Sequence, residues 1–313
     1  MMLARPHFQR FANDVRLLPA LPAAVVFPCD RESLQLAQSG AFAGYLDPLL
    51  VGPIQRIRST ADSAGLDISR LRIADTPDDP RAASWHAVAL ARTGEVGALV
   101  KGALSNDELL TPVAAAENGL RTGRRLSHAC VLDLPGRPWP LLVVDAQLNV
   151  NPNLAAKKEI LENTLELALA LGIHPARVAV VAATDVVSPA FPSTADAAAL
   201  KSMAAQGLFG EAHIDGPLTI DSALSGDAAR ADGGVSAVAG RANVIVAPNM
   251  EAAALVLRTL TAITGGLAAG LVLGASVPIV LPARGDSLEV RMASCVLASL
   301  HACSRATRLR RAA

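Results

Sequence analysis

LLVVDAQLNVNPNLAAKKEILENTLELALALGIHPARVAVVA, residues 141–182, holds a strand, a turn, a helix and a second strand in that order. Leu141–Val144 is an unbroken apolar run that stops at Asp145. Asp145–Asn153 is rich in turn-formers. Ala155–Leu171 is Ala- and Leu-rich and too long for a strand, and Val178–Ala182 is again continuously apolar. Strands buried on both faces read as continuous runs rather than alternating ones, and two of them joined through a helix make a parallel crossover.

The same rhythm extends in both directions. Ala23–Phe27 precedes a helical stretch at Arg31–Ser39, Leu49–Val51 ends at Gly52-Pro53, and Val96–Val100 runs into Lys101-Gly102. Beyond the middle, Val244–Ala247, Leu271–Leu273 and Pro278–Leu281 read as strands, with helices at Ala195–Gln206, Ala252–Thr264 and Ser287–Ser304. Such alternation predicts an α/β fold, a parallel sheet with helices on both faces. A chain of 313 residues suggests two domains, with DAQLNVNPN as the candidate crossing point. Apolar residues make up 51% but aromatics only 3%, so the core is expected from Ala, Val, Leu and Ile.

Composition also excludes functions. Lys plus Arg number 28 and Asp plus Glu 28, which gives no electrostatic case for nucleic acid or an acidic membrane surface. The terminal Arg305, Arg308, Arg310 and Arg311 read as a solvated or disordered end. Cys29, Cys130, Cys295 and Cys303 have neither CxxC spacing nor a His at ligand distance, so no metal site is expected. MMLARPHFQRF lacks the apolar run of a signal peptide. The most apolar stretch, Ile263–Leu281, is broken by Gly265, Gly266, Gly270, Gly274 and Pro278, so no membrane span is expected. A cytoplasmic setting follows as the expectation.

Polar segments placed directly after strands carry the chemistry of open parallel sheets. Lys101-Gly102 offers a cation beside a backbone that a ligand can approach closely. Arg121, Arg124 and Arg125 in RTGRRLSH form either an anion clamp or a solvated basic loop. DGPLTIDSAL presents Asp215-Gly216-Pro217 as a tight turn and Asp221 as a ligand contact or a helix cap. FPSTADAAAL reads as an N-cap at Ser193 or Thr194. Arg284-Gly285-Asp286-Ser287 opens the last helix, with Asp286 or Ser287 as its cap and Arg284 beside an anion-attracting N-terminus. GxGxxG and Walker patterns are absent from the sequence.

In order, VKG, RLSH, DAQLNVNPN, PSTADAAAL, DGPLTIDSAL, VAGRANVIVAPNMEA and GASVPIVLPARGDS resemble the phosphate acetyltransferase/phosphate butyryltransferase family. KG…DELL…GLRTGRRLSH is similar to the branch often fused behind an enoyl-CoA hydratase-type domain, a domain with no counterpart in these residues. The resemblance implies a two-domain fold of the isocitrate/isopropylmalate dehydrogenase type. Residues 1–146 with 273–313 would form the first domain, residues 147–272 the second, and the active site would lie in the cleft between them. It implies acyl-CoA and phosphate or acyl phosphate as substrates, no further cofactor, and a homodimer through the second domain. By resemblance Arg284 holds phosphate, and Asp286 or Glu289 takes the proton of the CoA thiol. Lys101, Arg124, Arg125, Asp145, Asn149, Asp221 and Glu251 are the implied substrate contacts.

Departures from the family pattern fall in the same segments. The family's Ser before the phosphate Arg is Ala283. Its Glu-Ala-Gly-Asn is Glu251-Ala252-Ala253-Ala254, the Lys later in that helix is Arg258, and a His-Thr pair is Ser105-Asn106. Two further readings follow from these: an acyl-CoA- or polyanion-binding module without catalysis, and a decarboxylating dehydrogenase of the shared fold. The metal-binding Asp cluster of the latter is missing.

Overall fold

A computed structural model describes residues 5–231 and 236–312. The chain first forms α1 (Pro6–Val15), β1 (Leu21–Val26), α2 (Arg31–Phe42), β2 (Leu46–Gly52), α3 (Ile54–Ala64), β3 (Arg72–Asp75), α4 (Pro80–Thr93), β4 (Ala98–Lys101) and α5 (Asn106–Ala114). Next come β5 (Ser127–Asp133), β6 (Leu141–Val144), α6 (Leu154–Ala170), β7 (Arg177–Val181), α7 (Pro192–Ala205) and β8 (His213–Leu218). α8 (Ile220–Leu224), α9 (Gly226–Ala231), β9 (Val244–Val246) and α10 (Met250–Thr264) follow, and β10 (Leu267–Leu273), β11 (Ile279–Val280) and α11 (Leu288–Ala312) end the chain.

Contacts divide these elements into two units. One joins Phe8–Leu126 to the chain from Ala269 onward. Its strands run in the order β3-β2-β1-β4-β11-β10. β1, β2, β3, β4 and β11 pair in parallel, with Ala24 opposite Leu99 and Val280 opposite Val100. Ala23–Val26 and Ala98–Val100 are wholly buried, which is why both segments are uninterrupted apolar runs. Asp30 accepts from Ser33 N to start α2, and Gly94, in the left-handed region, ends α4.

The other unit comprises Ser127–Ala268 with Arg5–His7. Its strands run β5-β6-β9-β7-β8. Leu132, Leu141, Val143, Ala179 and Ile245 sit in its core beneath Ala253 of α10. The contacts place the boundaries before Ser127 and after Ala268, where the resemblance implied them after residues 146 and 272. β5 pairs antiparallel with β6, so both strands belong with the middle of the chain.

Three local readings change in the structure. The sheet is mostly parallel rather than wholly so, because β5–β6 and β10–β11 are antiparallel. Their links, around Gly136 and Gly274 at positive φ, are too short for a crossover. Asp215-Gly216-Pro217 lies inside β8 rather than in a turn. A Cβ on Gly216 would stand 2.6 Å from the Val180 carbonyl oxygen, so glycine is there for close strand approach. α7 begins at Pro192 after Phe191, not at a Ser193 or Thr194 cap, because the Thr194 hydroxyl instead accepts from Ser188 N at 2.9 Å. Among the described residues no helix is long and apolar enough to cross a membrane.

Candidate functional site

β1, β4 and β11 bring their carboxyl ends to an open cavity of about 620 Å³. Gly102 makes this junction possible. Its N–H donates to Val26 O at 2.9 Å and that of Ala103 to Phe27 O at 2.9 Å. A Cβ at position 102 would lie 2.5 Å from Val26 O and 2.7 Å from Phe27 O. Both are backbone atoms, so neither can swing aside. Gly102→Ala is therefore expected to destabilise the fold by roughly 1–3 kcal/mol, the scale of overpacking a tight site. A chemical-denaturation midpoint equal to wild type would contradict this.

Lys101, the last residue of β4, lines the cavity. Its ammonium donates to Leu104 O at 3.1 Å. Burial lowers its pKa, Asp30 acts in the opposite direction, and Arg291 and Arg284 lower it further. Three donors on an ammonium leave protons for a ligand after one carbonyl is satisfied.

The opposite wall is the Ala283–Ser287 turn. Asp286 N donates to Ala283 O at 3.1 Å, and Ala283 N to the Asp286 carboxylate at 2.8 Å. Ser287 Oγ accepts from Val290 N at 3.3 Å, so Ser287 caps α11 while Asp286 closes the turn. Arg291, on α11 and only 7% exposed, locks that turn from behind. Its Nε donates to Asp286 O at 3.0 Å and its Nη2 to Ala283 O at 3.0 Å and Arg284 O at 3.4 Å. Sequence reading missed Arg291. The available signal was a lone guanidinium inside the otherwise apolar and small-residue run Val290–Leu300.

Charge in the cavity is unevenly committed. Asp30 accepts from Ser33 N at 2.8 Å, and Glu108 completes a capping box with Ser105 N at 2.7 Å. Arg56 pairs with Asp78 at 2.9 Å and lies over the Phe27 ring. The Arg284 guanidinium is exposed and makes no hydrogen bond or ion pair with a described residue. Lys101, with donors left over, and Arg284, with no described partner, make a pair suited to a compact anion.

The remaining candidates separate into groups. Asp286 lies within electrostatic reach of Lys101, and Glu289 is exposed in the first turn of α11. Arg124 and Arg125 are exposed and do not line this cavity. In the other unit, Asp145 organises its own loop. One of its oxygens accepts from Gln147 N and Leu148 N, each at 3.0 Å, and the other from Asn149 Nδ2 at 2.6 Å. Beside it His128 is buried, and burial pushes its pKa down while Asp145 acts in the opposite direction. Asp221 is exposed in the first turn of α8, with its carboxyl held below the usual range chiefly by a bond from Thr219. Glu251 is exposed in the first turn of α10, behind the Asn249 cap. Among the described residues no group of three or more His, Cys, Asp or Glu is placed to hold a metal.

Residues 81–299 match the family model described as phosphate acetyl/butaryl transferase. The phosphate acetyltransferase of Rhizobium meliloti is 44% identical over 281 residues, covering 90% of this chain and 89% of that protein. The phosphate butyryltransferase of Clostridium acetobutylicum is 36% identical, covering 94% of this chain and 97% of that protein. Among solved structures, a branched-chain phosphotransacylase from Enterococcus faecalis superposes with a TM-score of 0.78 at 26% identity, covering 90% of this chain and 99% of the other. On this extent of agreement the chain belongs to the phosphate acetyl/butaryl transferase family.

Proposed function

We propose that this protein transfers a short acyl group, acetyl to butyryl, between coenzyme A and inorganic phosphate, with phosphate held by Lys101 and Arg284. One observation carries the site assignment: Arg284, without a partner of its own, stands beside Lys101 on a turn that Arg291 fixes from behind. In the direction of acyl phosphate formation, a phosphate oxygen attacks the thioester carbonyl. A C–O bond forms, the C–S bond breaks with its electron pair going to sulfur, and the phosphate proton ends on the CoA thiolate. In reverse the thiolate attacks the acyl carbonyl and phosphate leaves. A thiol has an unperturbed pKa near 8.5, so a carboxylate within reach assists that step, and Asp286 and Glu289 are the two at this turn. The exchange balances without a redox partner, so coenzyme A enters as a substrate and no further cofactor is needed.

Asp145, Asn149, Asp221 and Glu251 in the middle unit, and Arg124 and Arg125, complete the proposed substrate contacts. A reducing cytoplasmic setting suits four free cysteines and a coenzyme A substrate. A homodimer through the middle unit is supported by Leu255 and Ile263 on α10, which are 67% and 79% exposed. Light scattering at the monomer mass across micromolar concentrations would remove the dimer.

The product tests the reaction. Incubated with phosphate and acetyl-, propionyl- or butyryl-CoA, the enzyme should form an acyl phosphate that hydroxylamine traps as the hydroxamate. No hydroxamate from any of the three would end the acyltransferase reading. Ala283 supplies a second handle. Its N–H and carbonyl are both engaged in the turn, and its methyl is exposed. Ala283→Ser is expected to raise kcat with little change in KM, because an added hydroxyl would act chiefly on charge developing in the transition state. A slower Ala283→Ser enzyme would place the oxyanion donor elsewhere.

A further inference from the structure

A second cavity, of about 590 Å³, lies at the amino ends of the strands whose carboxyl ends form the first. Leu21 and Pro22 of β1, Gly97 before β4 and Pro278 before β11 border it, while Lys101 and Arg284 stand at the other ends of β4 and β11. Its far wall is the C-terminal half of α11. Leu18, Leu21, Val96 and Val277 make the interior apolar, and among the described residues no Asp or Glu lines it. Two arginines do, Arg305 and Arg310. Arg305 is anchored by its Nη1 donating to Ala275 O at 2.8 Å, whereas Arg310 is exposed and makes no ion pair with a described residue. The terminal basic run, read from sequence as a solvated or disordered end, is helical, and its Arg305 and Arg310 line this cavity.

From this arrangement we infer a second binding site, one for an amphipathic carboxylate: an aliphatic chain in the apolar slot, its carboxylate at Arg305 and Arg310. The volume lies within the range of small-molecule sites, and apolar walls with a few convergent polar groups are their usual make-up. Two guanidinium groups without a lining carboxylate select an anion, and a carboxylate accepts two parallel N–H bonds from each. A phosphate ester with no chain would leave the apolar walls wet, and a neutral lipid would bring no anionic group to the two guanidinium groups. The site is separate from the acyl-transfer chemistry and does not depend on it.

Cys303 lines the same cavity and reports on it directly. Octanoate serves as the probe. In the wild-type protein, saturating octanoate should slow iodoacetamide alkylation of Cys303, read by peptide mass spectrometry, and should leave alkylation of Cys29 unchanged. Ala306→Trp, at an exposed lining position, should fill the slot and abolish the protection. Arg310→Glu should weaken octanoate binding about tenfold or more, the scale of a lost charge-assisted bond. Both variants must retain the wild-type circular dichroism and thermal midpoint. Equal protection in wild type and Ala306→Trp, or octanoate that fails to protect Cys303 at all, would overturn the assignment. Equal protection by octanol would show an apolar slot without the inferred carboxylate recognition, and would overturn it as well.

Discussion

Arg284→Ala is expected to weaken phosphate binding by roughly 1.5–3 kcal/mol, about tenfold to a hundredfold, measured by calorimetry on the unliganded enzyme. Its guanidinium lines the cavity with no partner of its own, so the substitution removes a ligand contact without breaking a structural one. Stability should stay within about 0.5 kcal/mol of wild type, as for other exposed positions. KM for acyl-CoA should change far less than KM for phosphate. Phosphate affinity equal to wild type would take Arg284 out of the site.

Arg291→Ala should do more, and differently. Arg291 is buried, and its donors go to the carbonyls of Ala283, Arg284 and Asp286. Removing it takes those bonds away, leaves Ala283 O with only the Asp286 N–H, and opens space beneath the turn. A loss of roughly 2–4 kcal/mol in folding stability is expected, together with the phosphate affinity that depends on where Arg284 stands. Arg291→Lys should recover only part of either, because one ammonium cannot span carbonyls that a planar fork reaches together. The two arginines are then told apart by their pattern: Arg284 affects binding alone, Arg291 binding and stability together. A variant Arg291→Ala with wild-type stability and phosphate affinity would show that the turn holds itself, through the bonds that Ala283 and Asp286 make with each other.

Lys101 carries a pH signature. Burial lowers its pKa, so the cation persists below that value and is lost at a lower pH than for an ordinary lysine. Phosphate affinity should therefore fall on the alkaline side before free lysines titrate. Lys101→Arg, whose charge does not titrate in that range, should remove this limb.

The reasons some features were legible in sequence and others were not are physical. Strands such as Val178–Ala182 and Val244–Ala247 could be read because burial on both faces leaves an unbroken apolar run. That Lys101 and Arg284 line one cavity could be read because each stands at the end of such a run, where parallel sheets gather ligands. β8 was hidden because HIDGPL carries turn-forming residues inside a strand, and the close approach to Val180 that demands Gly216 belongs to tertiary structure. β5 was hidden because SHACVLD begins with polar residues that burial accommodates, Ser127 accepting from Asn163 at 2.9 Å. Arg291 was hidden for a similar reason. A buried cation that serves backbone carbonyls follows no spacing rule, since its partners lie on a turn and not on a periodic face.

The phosphate dependence of thioester turnover decides between acyl transfer and its rivals. Purified enzyme is mixed with acetyl-CoA, and thiol release is followed with phosphate from zero to saturation. An acyltransferase of this design releases no thiol above background without phosphate, shows a saturable rise with it, and shows a rightward shift of that curve in Arg284→Ala. Release of coenzyme A at the same rate without phosphate would make the protein a thioesterase, and bound acetyl-CoA with no release at any phosphate concentration would make it a binding module. Either result would rule out acyl transfer to phosphate.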